Sequence, residues 1–184
     1  MRVVETELPG VKVISPVRFG DDRGWFEETY RQDILAAAGI RDVFVQDNAS
    51  FSASRGTVRG LHFQTPPSAQ AKLVRVFVGS VLDVAVDLRP SSATYGRHVT
   101  VEIDAKSGRL VYIPSGFAHG FCTLEPNTLI SYKVSSPYDS KCDRSLAWND
   151  PALGIEWPVA TSDAILSAKD RAAPELAKLE KAFD

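Results

Sequence analysis

Histidine, lysine and tyrosine are the side chains of this sequence best suited to acid–base chemistry. Three segments bring them forward. In Arg59-Gly60-Leu61-His62-Phe63-Gln64 an imidazole sits among glycine and apolar residues, as on a strand rather than in a solvated loop. An imidazole titrates near neutral pH and can act as a general base. Lys72 follows in Ala71-Lys72-Leu73-Val74-Arg75-Val76, and an imidazole beside an ammonium on a β-branched scaffold suggests a rigid reactive pocket. Tyr132 lies in Leu129-Ile130-Ser131-Tyr132-Lys133-Val134, where alternation places it on one face with Ile130 and Val134. A phenol with an ordinary pKa of about 10 is protonated at neutral pH, as a general acid must be. Each group also has a plainer reading: a structural histidine beneath two surface cations, and a tyrosine that fills a barrel.

The other histidines are His98 and His119. His98 alternates with Val99 and Val101 and is read as solvent-facing, with no role. His119, between Ala118 and Gly120, is read as part of a glycine-rich loop over 114–121, where small neighbours permit close ligand approach. A His-rich metal site commonly places two ligands one residue apart on a strand. The residue two beyond His62 is Gln64, so no metal is expected. The sequence has no P-loop, no nucleophilic-serine elbow and no GxGxxG after a strand. A phosphate would therefore fall to cations such as Arg23, Arg59 and Lys169, of which arginine suits bidentate contact.

These groups must be carried by strands. Leu73 to Val78 and Val81 to Leu88 are strongly β-branched, and Gly79-Ser80 between them predicts a two-residue hairpin turn. Arg97 to Asp104 alternates as a half-buried strand, and Leu110 to Ile113 and Thr128 to Val134 follow the same logic. Phe44 to Asn48 also alternates. Asp21-Asp22-Arg23-Gly24 is a turn signal. Helices are few: Gln32 to Ala38 with Gly39 as its cap, and Ala173 to Phe183 with Leu176, Leu179 and Phe183 on one stripe. Asp150-Pro151 and Trp157-Pro158 mark irregular coil before that second helix. Many short strands at close spacing predict an all-β sandwich or barrel.

The chain has 184 residues, enough for one domain with a substantial core, and we read residues 1–184 as such. Its net charge of -2 gives no bulk electrostatic case for nucleic acid or a membrane surface. No apolar run approaches the roughly 20 residues a membrane helix needs, and the acidic start does not read as a signal peptide. Cys122 and Cys142 stand without CxxC pairing and read as reduced thiols. A cytoplasmic protein is expected.

Taken in order, Asp-Arg-Gly at 22–24, Gln-Asp-Asn at 46–48, Arg-Gly-Leu-His-Phe-Gln at 59–64 and Ala-Lys-Leu-Val-Arg-Val at 71–76 form a specific set. Asp-Val-Ala-Val-Asp-Leu-Arg at 83–89, Ile-Pro-Ser-Gly-Phe-Ala-His-Gly-Phe at 113–121, Tyr-Lys-Val at 132–134 and Leu-Ser-Ala-Lys-Asp at 166–170 continue it. Across its whole length the sequence resembles the dTDP-4-dehydrorhamnose 3,5-epimerase family. The resemblance implies a cupin-like jelly roll, a homodimer, and a reaction without metal or cofactor on a dTDP-4-keto-6-deoxyhexose. It implies His62 as base, Asp170 as the carboxylate that orients it, Lys72 as the group stabilising the enolate, and Tyr132 as the acid. It places Arg23, Glu28, Gln46, Asp47 and Asn48 around the nucleotide, with Arg59, Lys72, His119 and Lys169 lining the site. Tyr138 falls where a ring could stack on the base. Asp143 stands where the family commonly has Glu, within the loosest part of the match, 135–145. In the family the N-terminal segment reaches the partner subunit, so Arg23 and Glu28 can act across a dimer.

Three rival readings remain open at this point. One is a relative inverting C3 or C5 alone, one a silent sugar-nucleotide-binding cupin, and one a metal-dependent cupin enzyme. One geometric requirement also follows. Arg59 and His62 have opposite parity on an ideal strand, so both reach one site only through a bulge at Gly60 or a strand that begins after Arg59.

Overall fold

The structure is a computed structural model and describes residues 1–183. Thirteen strands run in chain order: β1 (Arg2–Glu5), β2 (Lys12–Ser15), β3 (Arg18–Asp21), β4 (Gly24–Glu27), β5 (Gln46–Ser52), β6 (Val58–Gln64) and β7 (Lys72–Val78). They continue as β8 (Ser80–Asp87), β9 (His98–Asp104), β10 (Leu110–Ile113), β11 (Phe117–Thr123), β12 (Thr128–Val134) and β13 (Asp143–Ser145). Helix α1 (Gln32–Ala37) precedes β5, and the short α2 (Ala168–Arg171) follows a long irregular stretch.

Two antiparallel sheets form the body, as expected for an all-β jelly roll of the cupin type. One has the order β1-β2-β10-β7-β12-β5 and the other β13-β6-β11-β8-β9; β3 and β4 form a separate hairpin. The sheets meet through alternating β-branched side chains. Val74, Val76, Val111, Ile113 and Ile130 from the first pack on Val81, Ala85, Ile103, Phe117 and Phe121 from the second. This is the period-two rule of a sandwich, with one side chain in two facing the core. The first sheet's outer face is covered where Leu35 and Ile40 pack on Leu73, Leu110 and Tyr112.

The predicted hairpin at Gly79-Ser80 does not form. β7 pairs with β10 and β12, whereas β8 pairs with β11 and β9. Gly79 has φ +80°, and its missing side chain leaves room for Thr128 at the bend. Both flanking strands carry a buried inner face, so the chain crosses from one sheet to the other and keeps each face in the core. A two-residue turn was legible; its destination was not.

The predicted terminal helix is also replaced. Residues 173–183 run in extended and turn conformations, with a single 3-10 turn at Leu176–Lys178. The Leu176 N–H bonds Asp150 Oδ2 at 2.7 Å, and the Pro174 carbonyl accepts from Ala147 N–H at 2.8 Å. These bonds draw the backbone away from a helical ladder. Leu176, Leu179 and Phe183 still bury together against Leu61, Phe63 and Leu146, so the apolar stripe found its core without the helix. His119, expected in a loop, lies inside β11, which reaches back to Phe117. The coil around Pro151 and Pro158 is as expected.

Asp87, wholly buried, locks the loop after β8 through bonds from Arg89, Ser92 and Thr94. Burial raises its carboxyl, but these bonds overcome it and hold the pKa at about 2. A carboxyl depressed in the folded state stabilises above its unfolded pKa of about 3.9 and loses that contribution as pH falls toward the folded value. Asp87→Asn should therefore cost about 2 kcal/mol at pH 7. In urea denaturation the gap to wild type should narrow between pH 4 and pH 2.

Candidate active site

The local fold of α2 sets the central contact. Ser167 caps the helix: its Oγ accepts from the Asp170 N–H at 3.1 Å and donates to Asp170 Oδ2 at 2.7 Å. This is capping-box logic with Asp in the third helical position. It turns the Asp170 carboxylate back toward β6, where Oδ1 meets His62 Nε2 at 2.5 Å. The segment before α2 is tied to the start of β6 by Val58 N–H to Ile165 O and Ile165 N–H to Gly56 O, each at 3.0 Å. Asp170 is buried, which works to raise its pKa. The bonds from His62 and Ser167 outweigh burial and hold the carboxyl below its usual range. An ionised carboxylate accepts only, so Nε2 of His62 carries a proton and Nδ1 is the nitrogen left for substrate.

β6 contains the required irregularity. His119 registers opposite His62 and Phe121 opposite Arg59, so β6 carries one extra residue opposite Gly120. Gly60 has φ +130°, and a Cβ there would lie 2.5 Å from Gly120 Cα. The Gly60–Leu61 peptide bond is cis. The bulge lets Arg59 and His62 share one chamber despite their parity.

That chamber, about 240 Å³, is lined by Ser50, Arg59, His62, Lys72, His119, Phe121, Tyr132, Ser167 and Asp170. A second lobe of about 290 Å³ adjoins it and shares His62, Lys72 and Tyr132. Gln46, Asn48, Phe63, Gln64, Gln70, Tyr138, Asp143 and Lys169 complete that lobe. His62, Lys72 and Tyr132 thus stand where the two lobes meet. A larger depression, about 840 Å³, runs beneath the C-terminal segment; it borrows Asp143 and Lys169 but none of His62, Lys72 or Tyr132.

Lys72 is buried, and its Nζ donates to the His62 carbonyl at 3.1 Å. Desolvation lowers its pKa to about 8; the charges of Asp143 and Asp83 partly restore it and Lys169 opposes them. Burial raises the Tyr132 phenol against the pull of Arg59, which keeps it protonated. Arg59 itself is fixed by Ser52 Oγ at 3.2 Å and the Phe51 carbonyl at 3.0 Å. In the outer lobe Lys169 pairs with Asp143, which also accepts from the Tyr138 hydroxyl at 3.3 Å.

Three residues assigned to the nucleotide stay outside this chain's own cleft. Arg23 sits at the tip of the β3–β4 hairpin, its side chain 90% exposed and paired with Asp21. Glu28 is exposed beside Arg31. Asp47 alternates with Gln46 and Asn48, so it faces the other side of β5 and pairs with Lys133 at 2.8 Å. The parity that puts Gln46 and Asn48 in the cleft turns Asp47 out.

Three contributors were missed in the sequence. Ser167 had a signal, the Ser-x-x-Asp spacing of a cap. Gln64 is buried; it donates to the Ser68 and Pro137 carbonyls at 2.7 and 3.1 Å and accepts from Asp139 N–H at 2.8 Å, pinning the loop that carries Tyr138. Asp83 pairs with His119 at 2.7 Å; only its place in an apolar strand hinted at it.

The dTDP-4-dehydrorhamnose 3,5-epimerase family model matches residues 5–178 of the chain. The chain belongs to this family. A dTDP-4-dehydrorhamnose 3,5-epimerase of Sinorhizobium fredii is 51% identical over 94% of this chain and 88% of its own. The crystal structure of a dTDP-6-deoxy-D-glucose-3,5-epimerase from Legionella pneumophila, in complex with dTDP-4-keto-L-rhamnose, superposes with TM-score 0.93 at 39% identity, covering 97% of this chain and 94% of that one. The dTDP-4-dehydrorhamnose 3,5-epimerase of Bacillus anthracis, with TDP and PPi bound, gives TM-score 0.91 at 46% identity, covering 95% and 98%. The chain is therefore an epimerase of the isomerase class.

The bulge provides a direct test of this geometry. Gly60→Ala should force β6 and β11 apart and lower stability by about 1–3 kcal/mol. Catalytic turnover should fall further than folding alone explains, measured on the fraction shown folded by circular dichroism.

Proposed function

We propose that the chain inverts C3 and C5 of dTDP-4-dehydro-6-deoxyglucose to give dTDP-4-dehydro-L-rhamnose. The observation that carries this reading is the sharing of one chamber by His62, Lys72 and Tyr132, with Asp170 fixed behind His62. Hydrogens on C3 and C5 are acidified by the C4 ketone between them but remain weak acids. His62 removes one through Nδ1, and Asp170 stabilises the imidazolium that forms, as in a His–Asp pair of hydrolases. The Lys72 ammonium meets the enolate oxygen at C4, an interaction stronger in the transition state than in the ketone. Tyr132 returns a proton to the opposite face. Burial keeps its phenol protonated until that step.

The outer lobe suits the nucleotide. Tyr138, 62% exposed, offers a ring for the base and Lys169 a cation for the diphosphate, with Arg59 of the adjoining chamber as a second cation. We also propose a homodimer in which Arg23 and Glu28 complete the partner's cleft. The β3–β4 hairpin exposes Phe19, Trp25 and Phe26 at 62%, 56% and 64%. Such a cluster on one small hairpin is the kind of apolar surface that a second subunit covers. Asp47 shares the outer face of β5 with Phe51, so its contact with nucleotide would also be made across that interface.

Incubation with the 4-keto-6-deoxyglucose nucleotide in deuterated water should place deuterium at both C3 and C5. Label at one carbon would redirect the reading to a monoepimerase, and none would leave only binding. His62→Ala should abolish exchange at both carbons, a loss of about 10²–10⁴-fold. Tyr132→Phe should slow inversion more than initial proton removal. The charged form of Lys72 is lost as pH rises through about 8, so kcat/KM should decline above that pH, and Lys72→Met should remove the decline along with most of the activity.

A further inference from the structure

A second His–carboxylate pair lines the chamber, and the proton transfers described above do not use it. Asp83 on β8 is 1% exposed and His119 on β11 is 7% exposed; His119 Nε2 lies 2.7 Å from Asp83 Oδ2. The register pairs Asp83 with Phe121 and Ala85 with His119, so Asp83 and His119 are diagonal neighbours on the inner face. His119 is itself the register partner of His62 on β6. The two imidazoles therefore stand side by side, each backed by its own carboxylate.

Asp83 is removed from water, and the groups that can compensate its charge are His119 and the nearby Lys72 ammonium. On its own face of β8 it is flanked by the buried Val81 and Ala85. Removing a carboxylate from water costs several kcal/mol unless a partner compensates. Among the described residues the only side-chain hydrogen bond of Asp83 goes to His119. An apolar residue there would serve the core better, so the carboxylate answers a need of the chamber. An ionised carboxylate only accepts, so the Nε2 of His119 carries the proton. Among the described residues His119 Nδ1 has no protein partner. It is the atom His119 can present to a ligand.

We propose that Asp83 is a positioning residue of the epimerase: it fixes the ring and tautomer of His119 so that Nδ1 meets a polar substituent of the keto sugar beside the reacting carbons. This rests on the epimerase reading given above. His62 is presented by the same device, with Asp170 on its Nε2, so one arrangement of ring and carboxylate is used on two adjacent strands. Asp83 touches no substrate and acts through His119.

The test combines kinetics with nitrogen-15 NMR of the imidazoles, which is tractable because the chain has 3 histidines. In wild type, His119 Nε2 should be protonated; an unprotonated Nε2 would overturn the proposal whether or not the protein epimerises. Asp83→Asn and His119→Gln should each lower kcat/KM by about tenfold to a hundredfold, and the double variant should be no worse than His119→Gln alone. Fold-losses that multiply would show that Asp83 acts independently of His119 and sink the idea. Should Asp83→Asn fail to fold, Asp83→Glu takes its place: its loss must vanish in the His119→Gln background. Absence of deuterium exchange by the wild type would count against the epimerase reading and leave the NMR result to decide the Asp83–His119 link.

Discussion

The structure depends on charged groups, Lys72, Asp83 and Asp170 among them, buried at the edge of an apolar core between two sheets. A buried carboxylate, imidazole or ammonium is tolerated only with a partner, and here the partners are what make the groups reactive. Asp170 is held down by Ser167 and in turn fixes His62. Lys72 keeps its carbonyl contact to His62 while desolvation weakens its hold on its proton. Phe121 and Tyr132 pack on the valine and isoleucine layers that hold the sheets together and also line the chamber.

The same constraint explains the placement of irregularities. A regular sandwich would alternate Arg59 and His62 onto opposite faces. One extra residue at Gly60 brings both inward, and the close approach of Gly120 leaves no space for a Cβ there. The C-terminal segment covers the outer face of β6 with Leu176, Leu179 and Phe183, and the preceding segment delivers Asp170 to its inner face. β6, held between β11 and the three-residue β13, is thereby packed on both faces around His62.

The pattern of alternation made the strands and most of the cleft residues legible. β12 runs over the expected Thr128–Val134 and β10 over Leu110–Ile113, because each strand's buried face is written in its own residues. Gln46 and Asn48 fell into the cleft while Asp47 turned out, a parity rule that the residue types alone also contained. The hairpin at Gly79-Ser80 failed because a bend codes for a change of direction and not for a partner strand. The terminal helix failed because its apolar stripe is satisfied equally by an extended path once Asp150 and Ala147 capture the backbone.

The sequence by itself determined the all-β class, marked His62, Lys72 and Tyr132 as groups able to do chemistry, and required a break near Gly60 if Arg59 and His62 share a site, since these follow from residue type and local period. Only the tertiary structure decided that Asp83 stands behind His119, that Gln64 pins the Tyr138 loop, and that Arg23 and Glu28 stay away from their own cleft. Those facts depend on which strands become neighbours, and pairing between distant segments is set by the packing of whole faces rather than by any short stretch of residues.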